Sequence, residues 1–105
     1  MQTPNVDLAR VRRESLRWLI MLTLNNARPL GAMEGLVLSV AQSEYPDATP
    51  LELRRELDYL HGRELLRVDK RPDGRWHAEL TRHGVDVAEY TVDCEPGIAR
   101  PAKYW

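Results

Sequence analysis

The run Thr49-Pro50-Leu51-Glu52 constrains this chain most, because it fixes where one helix must start and so sets the frame for the residues downstream. The Thr49 hydroxyl can accept from the Glu52 amide and Glu52 can reach back to the Thr49 amide, while Pro50 takes the first helical position, where no amide donor is missed. Leu53, Leu57 and Leu60 then recur at i, i+4 and i+7. That spacing puts three leucines on one buried stripe and leaves Glu52, Arg54, Arg55, Glu56, Asp58 and Tyr59 mainly on the other faces, in a helix over about 49–62.

Downstream, Leu65-Leu66-Arg67-Val68-Asp69-Lys70 and Arg75-Trp76-His77-Ala78-Glu79-Leu80 flank the turn signal Arg71-Pro72-Asp73-Gly74. Leu66, Val68, Trp76, Ala78 and Leu80 alternate within their arms, so the spacing predicts a β-hairpin over about 65–80 with one face on a core. Thr81 can cap a short helix over about 81–90 that carries Val85 and Ala88. The order is helix, hairpin, helix.

These residues together resemble the second half of winged helix-turn-helix domains of the MarR, PadR and ArsR kind. The resemblance covers about residues 30–90 and rests on Leu53, Leu57 and Leu60, on Leu65-Leu66, on the basic hairpin and on Leu80-Thr81-Arg82-His83-Gly84. It implies that the helix from Thr49 is a recognition helix, that the hairpin is the wing, and that a short strand or turn near 26–31 joins the edge of the wing sheet. The sequence departs from that pattern where a glycine normally precedes the Leu-Leu pair. Here Glu64 holds that place and Gly62 lies two residues earlier, so Gly62 is the expected left-handed residue at the helix end.

A chain of 105 residues suits one domain with one modest core. With 15 Lys and Arg against 16 Asp and Glu, its net charge of -1 gives no overall basic excess to advertise nucleic-acid binding. A single cysteine, Cys94, excludes an internal disulfide, and no signal-peptide pattern follows Met1, so a cytoplasmic location is the expectation. The longest apolar run, Trp18 to Leu22, is too short to span a bilayer, and no membrane role is expected.

Upstream, Thr3-Pro4-Asn5 offers a polar cap to a first helix over about 6–26, in which Leu8, Val11, Leu16, Leu19, Ile20 and Thr23 can share a face. Trp18, Met21, Leu22 and Leu24 add apolar surface on other sides, so this helix either sits centrally in the core or meets a second subunit. A second helix over about 32–43 carries Met33, Leu36, Val37, Val40 and Ala41 and ends before Tyr45-Pro46. Residues 91–105 read as an extended tail, broken by Pro96, Gly97 and Pro101, and its Ile98, Tyr104 and Trp105 are expected to dock, on this domain or on a partner.

The expected fold is therefore α+β: a winged helix-turn-helix with a three-helix core, a β-hairpin wing, a short fourth helix and an extended tail. The resemblance implies double-stranded DNA as partner, the third helix in the major groove and the wing on phosphates, in a transcriptional regulator. Candidate contacts are Thr49, Arg54, Arg55, Arg67, Lys70, Arg71 and Arg75. Against this, Glu52, Glu56 and Asp58 leave the third helix with net negative charge, and Arg54, Arg55 and Glu56 can equally be salt-bridged residues on a solvated face. The alternative reading is a winged helix used for protein interaction. A homodimer through the first helix or the tail is compatible with both. A DNA binder should show a continuous positive stripe from helix to wing, whereas an interaction module should show an interrupted stripe and an apolar patch. No catalytic residue, cofactor or metal is expected, because His61, His77 and His83 are scattered and no metal-ligand spacing or phosphate-cradling glycine run accompanies them.

Overall fold

A computed structural model describes residues 6–103. Its elements run α1 (Leu8–Asn26), β1 (Ala32–Met33), α2 (Glu34–Glu44), α3 (Pro50–Gly62), β2 (Leu66–Lys70), β3 (Trp76–Leu80) and α4 (Arg82–Ala88). The fold is α+β, with four helices and a three-stranded antiparallel sheet of order β1-β3-β2, an arrangement compatible with a winged helix. The hairpin register pairs Leu66 with Leu80, Val68 with Ala78 and Lys70 with Trp76. The edge strand β1 starts at Ala32, just past the 26–31 segment expected to supply it, and pairs Ala32 with Ala78.

Leucine spacing in α3 does what the sequence predicts, since Leu53, Leu57 and Leu60 are all buried. They meet Leu16, Ile20, Met21 and Leu24 of α1, Val37 and Ala41 of α2, Leu66, Ala78 and Leu80 of the hairpin, and Val87 and Ala88 of α4 in one core. Each fully buried Leu or Ile is worth about 1.5–3 kcal/mol over its exposed state, and burial in one contiguous cluster ties the helices to the sheet. The face of α1 turned inward differs from the expected one. Met21 and Leu24, placed by periodicity on other sides, are fully buried, whereas Leu8 and Val11 are 74% and 51% exposed. The expected cap at Thr3, Pro4 and Asn5 lies outside the described residues; in the structure Asp7 caps α1, accepting from the Arg10 amide at 3.0 Å.

Gly62 is not the left-handed residue at the end of α3. It is the last helical residue, and Glu64 takes φ +62° instead. The Leu65 amide donates to the Leu60 carbonyl at 3.1 Å and the Glu64 amide to the His61 carbonyl at 3.0 Å. This crossed pair is a Schellman closure, and buried Leu60 and Leu65 make its apolar contact. The next helix ends alike: Tyr90 takes φ +62°, with Thr91 donating to the Asp86 carbonyl at 2.8 Å. Thr81 joins the two ends of the hairpin. Its Oγ1 donates to the Glu64 carbonyl at 2.7 Å and accepts from the Gly84 amide at 3.0 Å as the cap of α4. A Cβ on Gly84 would collide with the Leu65 carbonyl oxygen, so only glycine lets α4 lie against the end of α3.

The tail returns onto its own domain. Ile98 is buried, the Ala99 amide donates to the Glu14 carbonyl at 3.1 Å, and Arg63 donates to the Pro96 carbonyl at 2.7 Å. Arg100 donates to the carbonyls of Val87 and Val92 and stacks on Tyr90, whose hydroxyl donates to the Pro101 carbonyl. Of the three apolar residues expected to dock it, Ile98 does so, while Tyr104 and Trp105 lie outside the described residues.

Glu64→Gly should raise stability by about 1 kcal/mol, because it removes the left-handed penalty without touching a core contact. Glu64→Ala should give no such gain. Urea melts followed by circular dichroism check both, with an unchanged slope for each variant.

Candidate nucleic-acid interface

Helix α3 is held on one flank by two carboxylates. Glu52 does not reach back to the Thr49 amide as a capping box would have it; its two oxygens accept from Arg12 of α1 at 2.7 and 2.8 Å. Arg12 also donates to Asp47 at 2.9 Å and lies 4.8 Å over the Tyr45 ring, so one guanidinium fastens α1 to the turn between α2 and α3. Those acceptors hold the Arg12 pKa well above the ordinary arginine value. One turn on, Glu56 is buried, where a solvated face was expected, and accepts from Arg17 at 2.8 Å. Arg17 stacks on Tyr59 at 3.5 Å and donates to the Gly97 carbonyl of the tail. A buried ion pair contributes little net stability while intact, but losing one partner costs about 3–5 kcal/mol.

Arg54, a candidate for reading guanine, is engaged within the fold. It forms a fork with Glu34 at the start of α2, both bonds 2.8 Å, donates to the Gly74 carbonyl at the wing tip at 2.7 Å, and stacks 4.6 Å from the Trp76 ring. Glu34 accepts as well from the Trp76 amide. One cluster therefore pins α3, α2 and the wing together, and Arg54 is not free for base contact. Burial opposes ionisation of Glu34, but the hydrogen bonds from Arg54 and from the Trp76 amide outweigh it and hold the carboxyl below the usual range.

The outward row of α3 is Leu51, Arg55 and Asp58, all exposed, ending at Gly62. Of the candidate helix contacts, Arg55 alone points out without a hydrogen bond or ion pair among the described residues. Thr49 stays at the helix start as its cap, accepting from the Glu52 amide at 3.2 Å. On the wing, Arg67, Lys70, Arg71 and Arg75 are exposed, and each faces an acid. Arg67 pairs with Glu79 at 3.5 Å, Lys70 with Asp58 at 3.3 Å, Arg71 with Asp69 at 3.6 Å, and Arg75 with Asp73 at 2.7 Å. The Arg75 side chain and amide hold Asp73 below its usual pKa. The positive stripe is thus interrupted, although exposed pairs of this kind hold weakly and open easily. Lys70 also lies 4.4 Å from the Trp76 ring.

Of the other residues singled out in the sequence, His83 is exposed on α4 and Cys94 is half-buried in the tail. His61 accepts from the Val68 amide through Nδ1, His77 Nε2 lies 2.9 Å from the Leu30 carbonyl, and among the described residues no group of three or more His, Cys, Asp or Glu is placed to hold a metal. Burial raises the Cys94 thiol pKa against the nearby Arg100 and Arg63, which makes it a poor nucleophile. No helix of the described residues is long and apolar enough to cross a membrane. Sequence reasoning missed Glu34, Arg12, Arg17 and Trp76 as the residues that set the geometry of α3. Their partners lie 20 to 42 positions away, beyond any helical spacing.

Arg54→Ala should destabilise the protein, since it leaves Glu34 without its charged donor, whereas Arg55→Ala should leave its stability nearly unchanged. The Glu34 pKa is lowered on folding, so its contribution is complete above the unfolded value of ~4.3 and is lost as pH falls through the folded value. The stability advantage of the wild type over Glu34→Gln should therefore hold at pH 7 and shrink below about pH 4. Thermal melts across that range measure it.

No family model matches the sequence, and a search of curated proteins finds no match. Among solved structures the chain is similar to a crystal structure of a candidate DNA-binding protein from Ralstonia eutropha JMP134, at 24% identity and TM-score 0.59, over 85% of this chain and 100% of that one. The similarity is one of fold.

Proposed function

We propose that this chain is a winged-helix protein that binds double-stranded DNA as a transcriptional regulator. The outward row of α3 faces the major groove and the β2–β3 wing lies along the phosphate backbone. The observation that carries this reading is the Arg54 cluster: by tying the wing tip to α3 it presents Arg55, Arg67, Lys70, Arg71 and Arg75 on one stiff unit. Stiffness matters because side chains already in place lose less freedom on binding. The wing cations leave exposed carboxylates for phosphate oxygens, and each such contact releases counterions from the duplex. Base preference then falls to Arg55, suited to guanine, and to Asp58, able to accept from cytosine once Lys70 has turned to the backbone. The fold neighbour, a candidate DNA-binding protein, supports the same reading.

A second reading is favoured by a specific observation, the acid set against every wing cation. On that reading the domain meets a protein and the charges serve solubility and register.

Titration onto generic duplex DNA at two salt concentrations tests the choice. Binding should weaken with salt by a log-log slope of about -0.9 per phosphate contact, and changing Lys70, Arg71 and Arg75 together to Ala should flatten that slope by about two to three contacts. Asp58→Asn, which frees Lys70, should tighten binding. Absence of binding at low salt overturns the DNA reading in favour of the protein-interaction one.

A further inference from the structure

Leu51 stands where neither capping nor the core asks for an apolar residue. It is the second residue of α3 and 60% exposed, and of the large exposed apolar residues among the described ones it alone lies on α3 or the wing. The start of α3 is already served. Thr49 accepts from the Glu52 amide, Pro50 has no amide to satisfy, and Ala48 and Leu53, the pair placed to staple the helix entry, are both buried. First-turn positions favour acids, as Glu52 illustrates, and a leucine among them leaves apolar surface in water.

The helix sets its direction. At about 100° per residue, Leu51, Arg55, Asp58 and Gly62 fall within an arc of about 60°, opposite Leu53, Leu57 and Leu60 of the core. Side chains on a helix lean toward its start, so Leu51 leads the row and reaches past the first turn. Each member has a different chemical reach. Arg55 donates, Asp58 accepts, and Leu51 does neither. The group on a base edge of the major groove that suits a saturated side chain is the C5 methyl of a pyrimidine. Guanine, adenine and unmethylated cytosine present polar atoms there, which a leucine would strip of water without replacing their hydrogen bonds.

We propose, resting on the DNA reading above, that Leu51 is a specificity-determining residue that packs against the C5 methyl of a pyrimidine, thymine in unmodified DNA. Along the helix axis Leu51 lies about 6 Å before Arg55, and Asp58 about 4.5 Å beyond it, or about two base steps and then about one. The preferred site therefore places a thymine about two base pairs from the guanine taken by Arg55, on the side away from the base pair met by Asp58. Gly62, at the far end of the row, has no side chain to contribute, so readout stays toward the start of α3, the end that a helix-turn-helix presents to the bases. The wing cations meet phosphates, which carry no sequence information, so this discrimination is separable from affinity for DNA in general.

A duplex pool with a randomised centre, selected on the full chain at low salt, supplies the bound sequence. Replacing one thymine at a time by deoxyuridine then deletes a single methyl and leaves the pairing edge intact. At one position the wild type should lose about fourfold in affinity, the worth of one buried methyl, and cytosine placed there should gain about the same factor when methylated at C5. Leu51→Ala should bind the thymine and deoxyuridine duplexes alike, whereas Arg55→Ala should bind more weakly and keep the methyl preference. Because Leu51 is exposed, the circular-dichroism spectrum of Leu51→Ala should stay that of the wild type, which separates a lost contact from a lost fold. Salt-sensitive binding with no thymine fixed in the selected sequences, or a deoxyuridine penalty that Leu51→Ala still shows in full, overturns the inference and leaves the DNA reading standing. Failure of the pool to bind at low salt overturns both.

Discussion

Everything in this fold hangs on how α3 is gripped. Three leucines supply the energy by leaving water, but burial is non-directional and does not by itself fix a helix about its own axis. Charged side chains fix it. Glu52 and Glu56, one turn apart, each take an arginine of α1, and Arg54 between them reaches the other way to Glu34 of α2. Rotating α3 by even one position would break all three pairs and leave Glu56 buried without a donor. The cost of that unpaired charge, rather than the modest worth of the intact pair, is what makes the orientation specific.

The same residues explain why counting charges along the sequence misjudges the helix. Glu52 and Glu56 make α3 look repelled by phosphate, yet both are consumed internally and neither colours the outward surface. Arg54 looks available in the sequence and is not. The outward surface keeps Leu51, Arg55 and Asp58, beside a wing whose cations are individually neutralised but individually loose. Whether such a surface meets DNA depends less on its net charge than on how easily each pair opens, and pairs with both partners exposed open easily.

Local rules carry far in this chain and then stop at a definite place. Leucine spacing, the Pro-Asp-Gly turn and the Thr caps locate the elements, because each is a short-range physical signal: periodic burial, a hydrogen-bonded turn, an orphan amide met by a hydroxyl. The rotation of α1 is not legible, since apolar residues surround much of it and only the packing partners choose Met21 and Leu24 over Leu8 and Val11. Nor is the left-handed role of Glu64, which a propensity argument assigns to glycine. Two crossed backbone bonds and the Leu60–Leu65 contact outweigh the strain. Tyr90 tolerates the same conformation while its ring packs edge-on against Trp18 at 6.0 Å.

Arg17 couples two parts of the molecule that differ greatly in regularity. Its guanidinium serves Glu56 on α3 and the Gly97 carbonyl on the tail at once, with Tyr59 beneath it and Arg63 joining the same ring hydroxyl to Pro96. Peeling the tail away would therefore admit water to a buried ion pair at the heart of the domain. The segment around Ile98 has no helix or strand, yet its opening is thermodynamically coupled to that of α1 and α3. The Ala99 amide should exchange its hydrogen on the schedule of the core, not of a loop.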